Sequence, residues 1–234
     1  MSEAAATEDH VILIDKPLEW TSFDIVKKLR GKLKIKKIGH AGTLDPLATG
    51  LLILCTGKKT KTINSIQEQL KEYTGTMVLG KTTPSYDLET TIEDGGDISN
   101  LTESFLKSLI PQFEGEIEQT PPIYSAVKVN GQRAYKKARA GEKVEIKSRL
   151  ITVYSFELTK IDLPEVAFKV NCSKGTYIRS LINDFGRAAG VGAYLSGLRR
   201  TKIGNYSVDN AITIDEVNKE PDLLARIKSE QLPN

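Results

Sequence analysis

Residues 39–57 read GHAGTLDPLATGLLILCTG. Asp45 is the only charged side chain in that stretch, and the apolar run LLILC (51–55) follows within a few residues. The run predicts a buried strand, and a buried strand tolerates a carboxylate at its mouth only for a reason. Pro46 pushes Asp45 out of the helical region and towards an extended backbone. Gly39, Gly42 and Gly50 permit sharp turns and the close approach of another molecule's backbone. A loop anchored by a strand at Leu51 would hold a functional side chain rigidly. On local physics alone, a turn in which Asp45 accepts neighbouring amide hydrogen bonds is the simpler reading, because Asp-Pro pairs commonly form one.

Working outward, VILID (11–15) reads as a strand. Thr21 and Asp24 make a capping box for a helix running to about 33, with Val26, Leu29 and Leu33 as its apolar stripe. KEYTGTMVLG (71–80) alternates as a half-buried strand. An acidic loop (82–100) follows, then a helix from Ser99 to about 110, and a turn at Asn130–Gly131. A short basic helix (132–140) and strand-like 143–159 come next. VAFKVNC (166–172) alternates cleanly, and TYIRSLINDFGRAAG places Ile178, Leu181, Ile182, Phe185 and Ala189 on one helical face. Strands mixed with separate helices predict an α+β single domain, without repeats or linkers.

The chain has 234 residues, with 39% hydrophobic and 27% charged side chains, a globular composition. It contains no apolar run of membrane-spanning length and its start, MSEAAATEDH, is not a signal peptide, so a cytoplasmic location without membrane attachment is expected. Cys55 and Cys172 lie in strand-like runs and read as buried thiols. With only His10 and His40 beside them, no metal cage is expected, leaving carboxylate, phenol, amine or guanidinium groups for any chemistry. Residues 27–37, KKLRGKLKIKK, hold seven basic groups and no acid, whereas 82–106 hold six acids and no base. Further cations at Lys58, Lys59 and Lys61, through 128–149, and at Arg199, Arg200 and Lys202 could converge on a face that neutralises phosphates, or could merely solvate the surface.

HAGTLDPLATG resembles the signature of the bacterial TruB-type tRNA pseudouridine synthases. DKP (15–17), EYTG (72–75), QTPPIYSAVK (119–128), CSKGTYIRSL (172–181) and GAYLSGLRRT (192–201) match the same family in order, so the resemblance covers about 11–215. It implies the pseudouridine-synthase catalytic fold, a mixed and mostly antiparallel sheet flanked by helices, carrying an RNA-gripping insertion over about 124–152. It implies isomerisation of uridine 55 in the T-loop of tRNA, by base flipping, without a cofactor. Asp45 matches the nucleophile, Arg179 the arginine that pairs with it, and Tyr73 the tyrosine that stacks on the uracil. Tyr177 and Leu198 match positions lining the uridine pocket, and His40 the histidine that fills the space left by the flipped base. Lys16, Pro17 and Lys128 match further positions near the site, and Asp87 keeps a family acidic position. Two departures concern loops: Glu19 and Trp20 stand where the family commonly has glycine after the first Lys-Pro, and Pro84 replaces an aspartate.

Only about thirty residues follow the last block, so a catalytic core with a short tail (218–234) and no PUA domain is expected. The expected partner is the T-arm stem-loop of tRNA, bound by a monomer without a guide RNA. The competing reading is a non-catalytic module that binds or folds tRNA. Asp45, Tyr73 and Arg179 together argue against it, since binding alone does not need them as a set.

Overall fold

The apolar run at 51–55 lies within a strand that is buried on both faces. A computed structural model of the chain describes residues 9–125, 127–129, 132–134, 146–220 and 223. In chain order, β1 (Val11–Lys16) and α1 (Ser22–Leu33) precede β2 (Ile38–His40) and β3 (Ala48–Thr56). A 3-10 turn leads into α2 (Ile63–Glu68), then β4 (Lys71–Leu79) and the short pair β5 (Lys81–Thr82) and β6 (Glu93–Asp94). Next come α3 (Glu103–Leu109), β7 (Gly115–Gln119), and the short antiparallel pair β8 (Lys128–Val129) and β9 (Gln132–Arg133). The long hairpin of β10 (Arg149–Asp162) and β11 (Glu165–Cys172) is followed by α4 (Ile178–Ala188) and β12 (Ala193–Ile203). The described chain closes with β13 (Tyr206–Ser207), β14 (Ile212–Thr213) and α5 (Ile214–Lys219).

The chain divides into two compact units, one of residues 1–72 with 199–234, the other of residues 73–198. In the first, β3 pairs antiparallel with β1 from Cys55 opposite Val11 to Gly50 opposite Lys16, and β14 lies parallel to β1. Alternation then sorts one apolar run onto two faces. Leu52 and Leu54 pack with Ile12, Ile14 and the Ile25, Val26 and Leu29 stripe of α1. Leu51, Ile53 and Cys55 face Leu13, Ile66, Ile203 and Val208. Burial on both faces explains why LLILC is continuously apolar.

In the second unit the strand order is β4-β11-β10-β7. Val166, Phe168, Val170 and Cys172 alternate inward from β11, and Phe113, Phe156, Phe168 and Phe185 form a ring cluster with centroids 5.6–6.4 Å apart. Edge-to-face contacts of this kind add to the area buried. Both cysteines are buried thiols, as expected.

Several local expectations change. The helix after the acidic loop begins at Glu103, because Ser99 binds the Asp97 carboxylate while the Thr102 hydroxyl accepts from Phe105 N at 3.2 Å and caps the helix. Gln132–Arg133 is strand rather than the start of a basic helix and Ala134 is helical, while residues 135–140 of that helix, and 126, 130, 131 and 141–145 of the insertion, lie outside the described residues. Two further elements, α2 and β12, carried no periodic signal. Among the described residues no helix is long and apolar enough to cross a membrane.

Candidate active site

In the first unit, Asp45 sits half-buried on the loop that joins β2 to β3. The loop is fastened at three points. Ser22, the first residue of α1, donates through Oγ to Leu44 O at 3.1 Å and accepts from Leu44 N at 2.9 Å. Pro46 O accepts from Glu19 N at 2.9 Å and from Lys16 Nζ at 3.3 Å. Arg200 donates through Nε to Leu51 O at 2.8 Å and through Nη2 to Gly42 O at 3.1 Å. Ala48 N closes the turn on Asp45 O at 3.0 Å. Each bond removes a freedom that a loop carboxylate would otherwise have.

Lys16 is fully buried at the end of β1, and its ammonium also donates to Pro17 O at 2.9 Å and Trp20 O at 2.7 Å. Burial pushes its pKa down to about 8, against the pull of the Asp45 carboxylate and with the push of the Arg200 guanidinium. His40, half-buried on β2, is held below the usual imidazole range by burial, opposed by a backbone hydrogen bond at Gly42 and reinforced by Arg200. A neutral imidazole results at physiological pH.

In the second unit, Arg179 stands in the first turn of α4 and is 4% exposed. Its Nη1 meets Asp87 Oδ2 at 3.3 Å and donates to Ser85 O at 3.2 Å, while Nη2 donates to Tyr124 O at 3.0 Å. Asp87 is itself fixed: Oδ1 accepts from Glu89 N at 3.0 Å, and its carbonyl accepts from the hydroxyls of Thr83 and Ser85. Tyr177, half-buried, exchanges two backbone bonds with the Gln119 side chain and lies under the Arg149 guanidinium at 5.0 Å. Tyr73 is almost buried on β4, and Leu198 is half-buried on β12. Lys128 begins β8, and its side chain lies outside the described residues.

The structure thus groups Asp45 with Lys16 and His40 in one unit, and Arg179 with Asp87 in the other. Sequence reasoning missed Arg200 and Ser22. The sequence places Arg200 among the cations of a phosphate face, yet it is 1% exposed, and Arg199 directs its fork to Asp15 at 2.9 and 2.7 Å. Neither is a free surface charge. No period in GAYLSGLRRT distinguishes these two arginines.

Residues 30–178 match the family model of the TruB family pseudouridylate synthase N-terminal domain, and 179–231 that of the tRNA pseudouridylate synthase B C-terminal domain. The chain belongs to the TruB family of pseudouridylate synthases. A TruB relative from Flavobacterium johnsoniae, named tRNA pseudouridine synthase B, is 57% identical over 214 residues, covering 88% of this chain and 93% of the relative. Its namesake from Parabacteroides distasonis is 49% identical over 214 residues, covering 89% and 91%. A chain from the solved structure of an H/ACA RNP bound to a substrate RNA containing 2′-deoxyuridine has a TM-score of 0.70 at 30% identity over 95% of this chain. This chain spans 56% of that one. The α+β pseudouridine-synthase fold expected from the sequence is the fold found.

Glu19 has a φ of +66°, in the left-handed region, at the position where the sequence resemblance implies glycine. The departure in residue type therefore keeps a glycine-like backbone, and Glu19 N still reaches Pro46 O beside Asp45.

Proposed function

We propose that this chain converts uridine 55 in the T-loop of tRNA to pseudouridine, with Asp45 as the nucleophile. The observation that carries the reading is the fastening of the Asp45 loop by Ser22, Lys16 and Arg200, within the segment that matches the TruB family model and resembles that family's signature. Relatives named tRNA pseudouridine synthase B support tRNA as the substrate.

The reaction breaks the C1′–N1 bond, turns the uracil and joins C1′ to C5. A carboxylate attacking C1′ expels the base through N1; a carboxylate adding to C6 reaches the same product. In either route the C5 proton is lost and N1 gains one, so no electron donor or acceptor is needed. Both routes need an ionised carboxylate held in a dry pocket, since water would capture the intermediate. Tyr73 stacks on the uracil, Arg179 is the catalytic cation, and Tyr177 and Leu198 line the base pocket. Neutral His40 fills the T-loop space left by the flipped nucleotide, and Lys16 and Lys128 assist binding. Flipping costs a few kcal/mol of stacking, offset by pocket and phosphate contacts.

The test is pseudouridine mapping on an unmodified tRNA transcript incubated with the purified protein. Modification confined to uridine 55 is expected. Modification elsewhere, or RNA binding without modification, would contradict the reading.

A further inference from the structure

Arg200 is the largest fully buried side chain among the described residues. A buried guanidinium is normally matched by a carboxylate, because desolvating a charge is costly. Here its described partners are backbone carbonyls: Gly42 at 3.1 Å, Thr43 at 3.5 Å and Leu51 at 2.8 Å. These three bracket Asp45 on both sides, two before it and one where the chain has returned into β3. The fork therefore ties together the two ends of one loop.

The backbone is shaped to accept it. Gly42 and Gly50 both have positive φ, +93° and +97°. A Cβ at Gly50 would lie 2.3 Å from Arg200 O, so only glycine lets the two backbones meet there. The charge also comes at a disadvantage, since it lies close enough to Lys16 to oppose the protonation of that amine. A neutral donor could have served one carbonyl without this repulsion. A planar guanidinium holds three carbonyls in one rigid fork, whereas an ammonium on a flexible stem would leave their relative directions unfixed.

We propose that Arg200 is a positioning residue for the reaction: by holding the carbonyls of Gly42, Thr43 and Leu51, it sets the backbone that aims the Asp45 carboxylate. The inference rests on the reading of Asp45 as nucleophile. Ser22 and Lys16 hold the middle of the loop, at Leu44 and Pro46, so losing the fork loosens its ends and tilts Asp45 without unfolding the unit.

The test compares Arg200→Lys, Arg200→Met and Asp45→Asn in single-turnover kinetics, with RNA affinity and folded fraction measured on the same preparations. Misplacing a reacting group by about 1 Å costs on the order of a hundredfold in rate, about 2.7 kcal/mol. Both Arg200 variants should therefore lose about a hundredfold in the chemical step per folded molecule, with affinity for tRNA within about threefold of wild type. A purely structural role would lower the folded fraction and leave the rate per folded molecule unchanged, which would overturn the proposal. An affinity loss matching the rate loss would overturn it too, by making Arg200 a binding residue. Turnover by Asp45→Asn would defeat the nucleophile reading itself; an inert Asp45→Asn beside a normal Arg200→Lys would defeat only this inference. Should neither Arg200 variant fold, Gly42→Ala decides. It strains one carbonyl of the fork while the added Cβ meets Arg200 Nη1 at an ordinary 3.5 Å. A loss of at least about tenfold in the chemical step with unchanged affinity supports the proposal, and a wild-type rate overturns it.

Discussion

Arg179 and Asp87 meet at 3.3 Å with side chains only 5% and 8% exposed. Burying both charges is tolerable because the guanidinium also donates to Ser85 O and Tyr124 O, and the carboxylate also accepts from Glu89 N. Removing one partner of such a pair leaves an uncompensated buried charge, which costs about 3–5 kcal/mol. Asp87→Ala should destabilise by that order in urea unfolding. Combining it with Arg179→Met should cost less than the sum of the two single changes. Strict additivity would show that the pair is not coupled.

Glu19 gives a smaller and opposite expectation. A non-glycine residue at positive φ carries a cost of about 1–2 kcal/mol, roughly balanced by the unfolded-state entropy of glycine. Glu19→Gly should therefore unfold within about 1 kcal/mol of wild type. Glu19→Val, β-branched and so ill-suited to this backbone, should be destabilised by about 1–2 kcal/mol more than Glu19→Gly. A valine variant as stable as the glycine one would mean that the backbone at 19 is extended in solution.

Lys16 predicts a pH dependence. Its folded pKa of about 8 lies below the ordinary 10.5, so between those values the unfolded chain binds more protons than the folded one. Stability from this group therefore rises with pH across that window and is smallest below about 8, where the charged amine is buried. Lys16→Met removes the titration and shifts stability by a pH-independent amount. The difference wild type minus Lys16→Met, followed by urea midpoints from pH 7 to 10, should grow with pH. A flat difference would show that the amine keeps its ordinary pKa.

The basic run on α1 bears on RNA. Lys27, Lys28 and Lys32 line one groove with Trp20 and Gly31, and Lys27 and Lys32 are exposed. If they neutralise phosphates, replacing all three with glutamine should reduce the log–log salt slope of tRNA binding by about 2 to 3. The same change at Lys107 and Lys160, which face Glu103 and Asp162 on the surface, should leave the slope nearly unchanged. Equal slopes for the two triple and double variants would return the α1 run to a solvating role.

Elements with a clean period were legible in the sequence. β1, β4, β11, α1 and α4 fall within a residue or two of the periodic segments, because one buried face imposes spacing on apolar residues. The capping box at Thr21 and Asp24 was equally legible, being a local exchange of two bonds. β12 was not, because Ser196, Gly197, Arg199 and Arg200 break its apolar alternation, and the burial of Arg200 depends on carbonyls about 150 residues away in the chain. The helix expected from Ser99 starts at Glu103 instead, because the nearby Asp97 carboxylate captures the Ser99 hydroxyl and Thr102 supplies the cap. For the site, motif resemblance named the side chains. Their supports at Ser22, Arg200 and the Arg179–Asp87 pair came only from the structure.

Asp45 is the side chain proposed to carry the chemistry. Asp45→Asn keeps the volume and removes the charge, so it separates catalysis from binding. Tritium release from C5-labelled uridine in tRNA, measured on wild type and Asp45→Asn beside their tRNA affinities, is the most direct measurement. The variant should give no detectable release, with affinity within about tenfold of wild type. Substantial release from Asp45→Asn would contradict that role.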